Sequence, residues 1–213
     1  MKTLEVEYYV ELQRRTFDIF RYVACHESNF GAFSIVIESV LVDICSFFDS
    51  LCQNFIRSLA SGCVLSNVAA VKEYSAKVRG SRDFNIAEYQ ALLEPAFSLS
   101  EKQLALNAYQ DHLQKEPSGS AYLLRPFADW SKGAPLTWWK AFTDLKHDRL
   151  SNLSEATLGN TLNAMGGVFV LLTQKHEDSF KEGHVDREIY RLFQPKYWTR
   201  HGSVMNVVTP LWK

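Results

Sequence analysis

The sequence predicts an all-α domain, and three observations carry that expectation. From Phe30 to Leu59, apolar residues recur at steps of three and four. Phe30, Phe33, Ile37, Val40, Ile44, Phe47, Leu51, Phe55 and Leu59 take one side, and Ser39, Asp43, Ser46, Ser50, Gln53 and Arg57 the other. A second line, Leu158, Leu162, Met165, Phe169, Leu172 and His176, steps in the same way. The composition, 46% hydrophobic and 22% charged over 213 residues, is that of a globular chain. A chain of this length buries a sizeable core without disulfides or metal. A single helical domain over 1–213 follows, with core helices about 8–95 and 135–194, an irregular insertion about 97–134 and a short non-helical tail about 195–213.

Taken in order, a first helix is expected over about 8–26, where Leu12, Phe17, Phe20 and Val23 lie near helical spacing. Its start is ambiguous, because Leu4, Val6, Tyr8 and Val10 alternate as a strand would. The Phe30–Leu59 helix, about 45 Å long, is the expected spine. Its Glu38 and Asp49 stand on a half-apolar line and want Arg or Lys partners from a neighbouring helix. Residues 66–79 read as a third helix stopped by Gly80, and Asn85 caps a short fourth one ending before Pro95. Between 97 and 134 the periodicity fades among Pro117, Gly119, Pro126, Gly133 and Pro135, with a helix or hairpin expected near 104–113. Pro135 then opens a helix to about His147, and Ser154 reads as the cap of the late periodic helix. Gly166 and Gly167 inside that helix imply close approach of a neighbour. A short helix about 186–193 leads into the tail, where Val204, Val207 and Val208 suit a short strand or a docked segment.

Charge and cysteines exclude several function classes. Lys and Arg number 23 against 24 Asp and Glu, so no global basic field exists and nucleic acid would need a local patch. The acidic N-terminus does not read as a secretion signal, and Glu38, Asp43 and Asp49 interrupt the most apolar stretch, so no membrane span is expected. Cysteines 25, 45, 52 and 63 show no paired metal spacing and read as reduced core residues of a cytoplasmic protein. The chain carries no phosphate-binding loop, dinucleotide fingerprint, nucleophile elbow or zinc-protease helix motif, so neither a cofactor nor a metal is expected.

The densest mixture of aromatic and ionisable groups is Trp138-Trp139-Lys140-Ala141-Phe142-Thr143-Asp144-Leu145-Lys146-His147-Asp148-Arg149. One reading is structural: tryptophans pin a helix whose C-terminal dipole is met by Lys146, His147 and Arg149, with Lys140 and Asp144 as an i, i+4 pair. The other is functional. A histidine can move a proton while neighbouring Lys and Arg hold a phosphodiester and stabilise developing charge. His147 and Arg149 are then catalytic candidates, and Lys146, Lys140, Asp144 and Trp138 binding candidates.

These residues also carry a resemblance. The long helix with its acidic residue (Ile37-Glu38 through Phe48-Asp49-Ser50), the Pro126-Phe127-x-x-Trp130 loop, the Trp138 to Arg149 segment and the Ala- and Leu-rich helix after it resemble HEPN domains, the higher eukaryote and prokaryote nucleotide-binding superfamily. The similarity spans about 30–60 and 125–173. It implies an up-and-down helical bundle, a prokaryotic defence or toxin-antitoxin setting, binding of nucleotide, RNA or a partner protein, frequent homodimers and, in active members, metal-independent ribonuclease activity. Active members carry Arg four to six residues before His on a late helix. Here His147 precedes Arg149, and the one Arg-x4-His match, Arg21 to His26, lies in the first helix, so weak or absent ribonuclease activity is expected. A homodimer is also expected from surplus apolar surface: a second apolar line on the spine (Leu41, Cys45, Phe48, Cys52, Ile56), the Gly166-Gly167 notch, and the tail residues Tyr197, Trp198, Val204, Val207, Val208, Leu211 and Trp212.

Overall fold

A computed structural model describes residues 3–61, 71, 73, 74, 77, 83–110, 122–196, 199–200 and 203–204. Its helices are α1 (Leu4–Ile19), α2 (Ile35–Ser61), α3 (Ile86–Phe97), α4 (Thr137–His147), α5 (Leu158–Lys175) and α6 (Glu177–Lys181). Its strands are β1 (Gln103–Leu106), β2 (Tyr122–Leu124), β3 (Phe193–Lys196), β4 (Thr199–Arg200) and β5 (Ser203–Val204). The protein is therefore mostly helical, as the all-α expectation has it, with a small sheet added to the helices.

Capping decides where the first two helices begin. The Thr3 hydroxyl accepts the Val6 N–H, and Glu5 and Glu7 sit in the first turn, so α1 starts at Leu4 and the ambiguous alternation resolves as helix. Val6 and Tyr9 face inward while Leu4 is exposed. The helix stops at Ile19, short of the expected His26, because the chain turns back through residues 20–23 and His26 caps a 3₁₀ turn, Glu27–Asn29, instead. Ser34 does the same for α2, its hydroxyl accepting the Ile37 N–H. Residues 30–33, expected as helix, tie the chain to the start of α5: the Phe30 and Ala32 carbonyls accept the Gly159 and Leu158 N–H groups, and Phe33 bridges to Thr157.

Around α2 pack α1, α4 and α5, with α5 lying along much of its length. Arg15 meets Asp43 and Tyr8 meets Phe47, so α1 runs antiparallel to α2. Both apolar lines of α2 are consumed inside the chain, for Leu41, Cys45, Phe48, Cys52 and Ile56 are fully buried. The Gly166-Gly167 notch is likewise filled from within. A Cβ on Gly166 would come 2.8 Å from Pro126 and 3.1 Å from Leu104, and one on Gly167 would come 3.1 Å from the Trp138 indole of α4. Two of the three grounds for a homodimer are thus satisfied without a second copy, and most of the third, the tail, lies outside the described residues.

Val71, Glu73, Tyr74 and Lys77 are helical, as expected of 66–79, and the rest of that segment lies outside the described residues. Asn85 forms a reciprocal capping box with Glu88 at the start of α3. That helix runs past Pro95, which removes one backbone bond near its end, and stops where Ser98 turns left-handed at φ 48°.

The expected irregular insertion contains β1 and β2, which pair antiparallel, and β1 also pairs with β3 from far along the chain in the order β2-β1-β3. The short helix expected at 186–193 is a 3₁₀ turn, Arg187–Tyr190, feeding β3, so Pro195 and Lys196 of the expected tail belong to this sheet. Gln13, buried on α1, fastens this return: its amide donates to the Glu188 carbonyl at 2.8 Å and its oxygen accepts the Leu192 N–H at 3.1 Å. Beyond it β4 and β5 form a two-stranded hairpin; Val207 and Val208 lie outside the described residues.

Candidate functional site

The start of α4 is set by a carboxylate. Asp129 accepts both the N–H and the hydroxyl of Thr137 at 3.0 Å, so Pro135 precedes the helix instead of opening its first turn. Trp138, a binding candidate from sequence, belongs to the core. It is 2% exposed, its indole N–H donates to the Pro126 carbonyl at 2.8 Å, and its ring stands edge-on to Phe48 at 4.9 Å. Half-buried Trp139 packs against Phe48 and Phe142. These aromatics anchor the inner side of α4 and leave its polar residues on the surface.

Each of those polar residues has a distinct fate. Lys140 is paired with Asp144 one turn on. The Lys146 ammonium lies over the Phe142 ring, 5.1 Å from its centre. His147, the last residue of α4, is exposed, and among the described residues no hydrogen bond or ion pair holds it. Arg149 reaches Glu38 of α2, Nε to Oε1 at 3.2 Å, with the Arg side chain 63% and the Glu side chain 7% exposed. Asp148 receives the Ser151 N–H at 3.1 Å, and hydrogen bonding from Ser151 holds its carboxyl below the usual range.

Lys146 and His147 stand in the last turn of the helix, where its dipole favours positive charge, and the Asn152 side-chain amide donates to the Asp144 carbonyl at 3.1 Å and the Asp148 carbonyl at 2.8 Å. An asparagine a few residues past a helix end was the available signal. The late helix is capped elsewhere than expected: Thr157 accepts the Asn160 N–H at 3.1 Å, and Ser154 sits in the preceding 3₁₀ turn, Leu153–Glu155.

The two spine carboxylates find different partners. Glu38 takes Arg149 from the turn after α4, where a neighbouring helix was expected to supply the cation. Asp49 accepts the Tyr89 hydroxyl at 2.5 Å, and the Gln53 amide donates to that same hydroxyl at 2.6 Å and to the Phe84 carbonyl at 3.0 Å. Arg21 and His26 meet separate partners. Arg21 is exposed beside Asp18, while His26 is buried with its Nδ1 accepting the Ser28 N–H at 3.2 Å.

The Glu38–Arg149 pair and the Phe33–Thr157 bridge bring the turn after α4 to the first turn of α2. Phe33, Ile35, Val36 and Leu150 are 52%, 73%, 64% and 94% exposed there, half of the large apolar side chains found exposed among the described residues. Among the described residues no group of three His, Cys, Asp or Glu side chains could hold a metal ion, and no helix is long and apolar enough to cross a membrane. Cys25, Cys45 and Cys52 are free thiols in the core, and burial pushes Cys25 up to about 12. Cys63 lies outside the described residues. Compared with known proteins, the chain matches no family model, no curated protein and no solved structure.

Proposed function

We propose that this chain is a HEPN-like helical binding module without effective ribonuclease activity, and that it engages a partner protein at the end of the bundle where α2 begins and α4 ends. The observation that carries this reading is the isolation of His147. A general acid or base needs an orienting group and a companion that stabilises developing charge. Among the described residues nothing orients His147, while Arg149 and Lys140 are already paired with Glu38 and Asp144. Besides His147, what this end offers freely is apolar: Phe33, Ile35, Val36 and Leu150. Exposed apolar side chains at one end of the bundle favour a protein partner over a nucleotide or RNA. A second copy of the chain falls within that partner class, so the homodimer expectation moves from the spine and the glycine notch to this end. A defence or toxin-antitoxin setting is what the sequence resemblance adds.

The test is cleavage of single-stranded RNA in EDTA by the wild type, His147→Ala and Arg149→Ala. No cleavage above a buffer control is expected from any of them. Cleavage by the wild type that disappears in both variants would show a working catalytic pair and overturn the reading.

A further inference from the structure

We propose that Glu38 is a specificity-determining residue: together with Asp144 it holds the cations of this end in internal pairs and so excludes phosphate polymers from it. The inference rests on reading the chain as a binding module and adds what the module refuses.

Glu38 lies in the first turn of α2, where the helix dipole favours a negative charge, yet its side chain is 7% exposed. Its Oε1 accepts no well-aligned hydrogen bond, and Arg149 Nε, 3.2 Å away, is the cation that offsets it. A pair with a buried carboxylate and an exposed cation contributes little to stability compared with apolar packing of the same volume. Stability is therefore a poor reason for a carboxylate at this position. Its effect on Arg149 is a better one. The Arg149 side chain stays 63% exposed, but the charge of the pair sums to zero. Lys140, 69% exposed, is cancelled in the same way by Asp144.

The remaining field is weak. The C-terminal carbonyls of α4 carry partial negative charge, Asp148 follows His147 directly, and Lys146 is drawn over Phe142. Affinity for a nucleic acid grows with the number of phosphates that free cations neutralise. Here two of the cations in the segment have been withdrawn, which leaves apolar contact as the available source of binding energy.

The experiment measures binding of a labelled single-stranded oligouridylate by fluorescence anisotropy over a salt series. The wild type, Glu38→Gln, Asp144→Asn, the double variant, and each with Arg149→Ala added are compared. The substituted glutamine keeps the shape of Glu38 without its charge, and a thermal melt of each variant confirms folding. The wild type and Arg149→Ala are expected to bind equally weakly. The double variant should bind roughly tenfold tighter, with a salt slope steeper by about 1.4, or about 0.7 for each freed cation. Adding Arg149→Ala should remove the share due to Glu38→Gln. Wild-type binding that Arg149→Ala abolishes would overturn the proposal, and so would a folded double variant with wild-type affinity. If Glu38→Gln unfolds, surface-located Asp144→Asn applies the same criterion to Lys140. Failure of the parent reading is seen separately, as His147-dependent cleavage.

Discussion

Gly166 offers a perturbation whose sign opposes the usual rule. In a helix interior, glycine to alanine stabilises by about 1 kcal/mol, because alanine has less backbone freedom to lose. At Gly166 the added methyl would lie 2.8 Å from Pro126 Cγ and 3.1 Å from Leu104 Cδ1. Neither neighbour yields easily. Pro126 is a ring fused to the backbone whose carbonyl already holds the Trp138 indole, and Leu104 is fully buried in the central strand of the sheet. Forcing a methyl into such a core costs about 1–3 kcal/mol, so after the propensity gain Gly166→Ala should be destabilised by up to about 2 kcal/mol. For a chain of this size that is a fall in Tm of several degrees, about 2–4 °C per kcal/mol. Urea unfolding followed by circular dichroism, with the m-value unchanged, measures it. Gly167→Ala, whose methyl would meet the Trp138 ring at 3.1 Å and the Phe127 ring at an ordinary 3.5 Å, should lose less. If Gly166→Ala is more stable than the wild type by about 1 kcal/mol, the sheet and the Pro126 loop do not press on α5 as described.

Other parts of the molecule give independent checks. Gln13→Ala strands the Leu192 N–H, while the Glu188 carbonyl keeps the Arg191 N–H, so a loss of about 1–3 kcal/mol is expected, with faster hydrogen exchange across 188–193 as the local signature. Burial opposes ionisation of Glu5, but hydrogen bonds from Lys175 and His176 outweigh it and hold the carboxyl below its ordinary 4.5. Its stabilisation is therefore complete above about pH 4.5 and drains away as the pH falls through the lowered value. Urea midpoints measured down the acid range should fall less steeply in Glu5→Gln. With Cys25 near 12 and Cys45 and Cys52 pushed well above 9.0 by burial, these three thiols should resist labelling at pH 8 until the chain is unfolded, as peptide mass spectrometry would show.

The helices were legible because their signals are local. Three-and-four spacing in Ile37 to Phe55 and Leu158 to Leu172 follows from the backbone repeat, and the Asn85 capping box lies within four residues of sequence. Caps that compete within a few residues, such as Ser154 against Thr157, are settled by which hydroxyl meets a free N–H once the chain is packed. The sheet was legible only as one of two alternatives, a hairpin near 104–113, for a different reason. Leu104, Ala105 and Leu106 are all buried, so β1 shows no alternation, and its partner β3 comes from the far end of the chain. The site divides along the same line. That Trp138 to Arg149 mixes aromatic and charged groups at a helix end is a property of the sequence alone. That Trp138 is core, that Arg149 is cancelled by Glu38 and that Ile35, Val36 and Leu150 are left exposed was decided by tertiary structure. Burial and ion pairing depend on which surfaces meet across the fold, and no periodicity within a single helix encodes them.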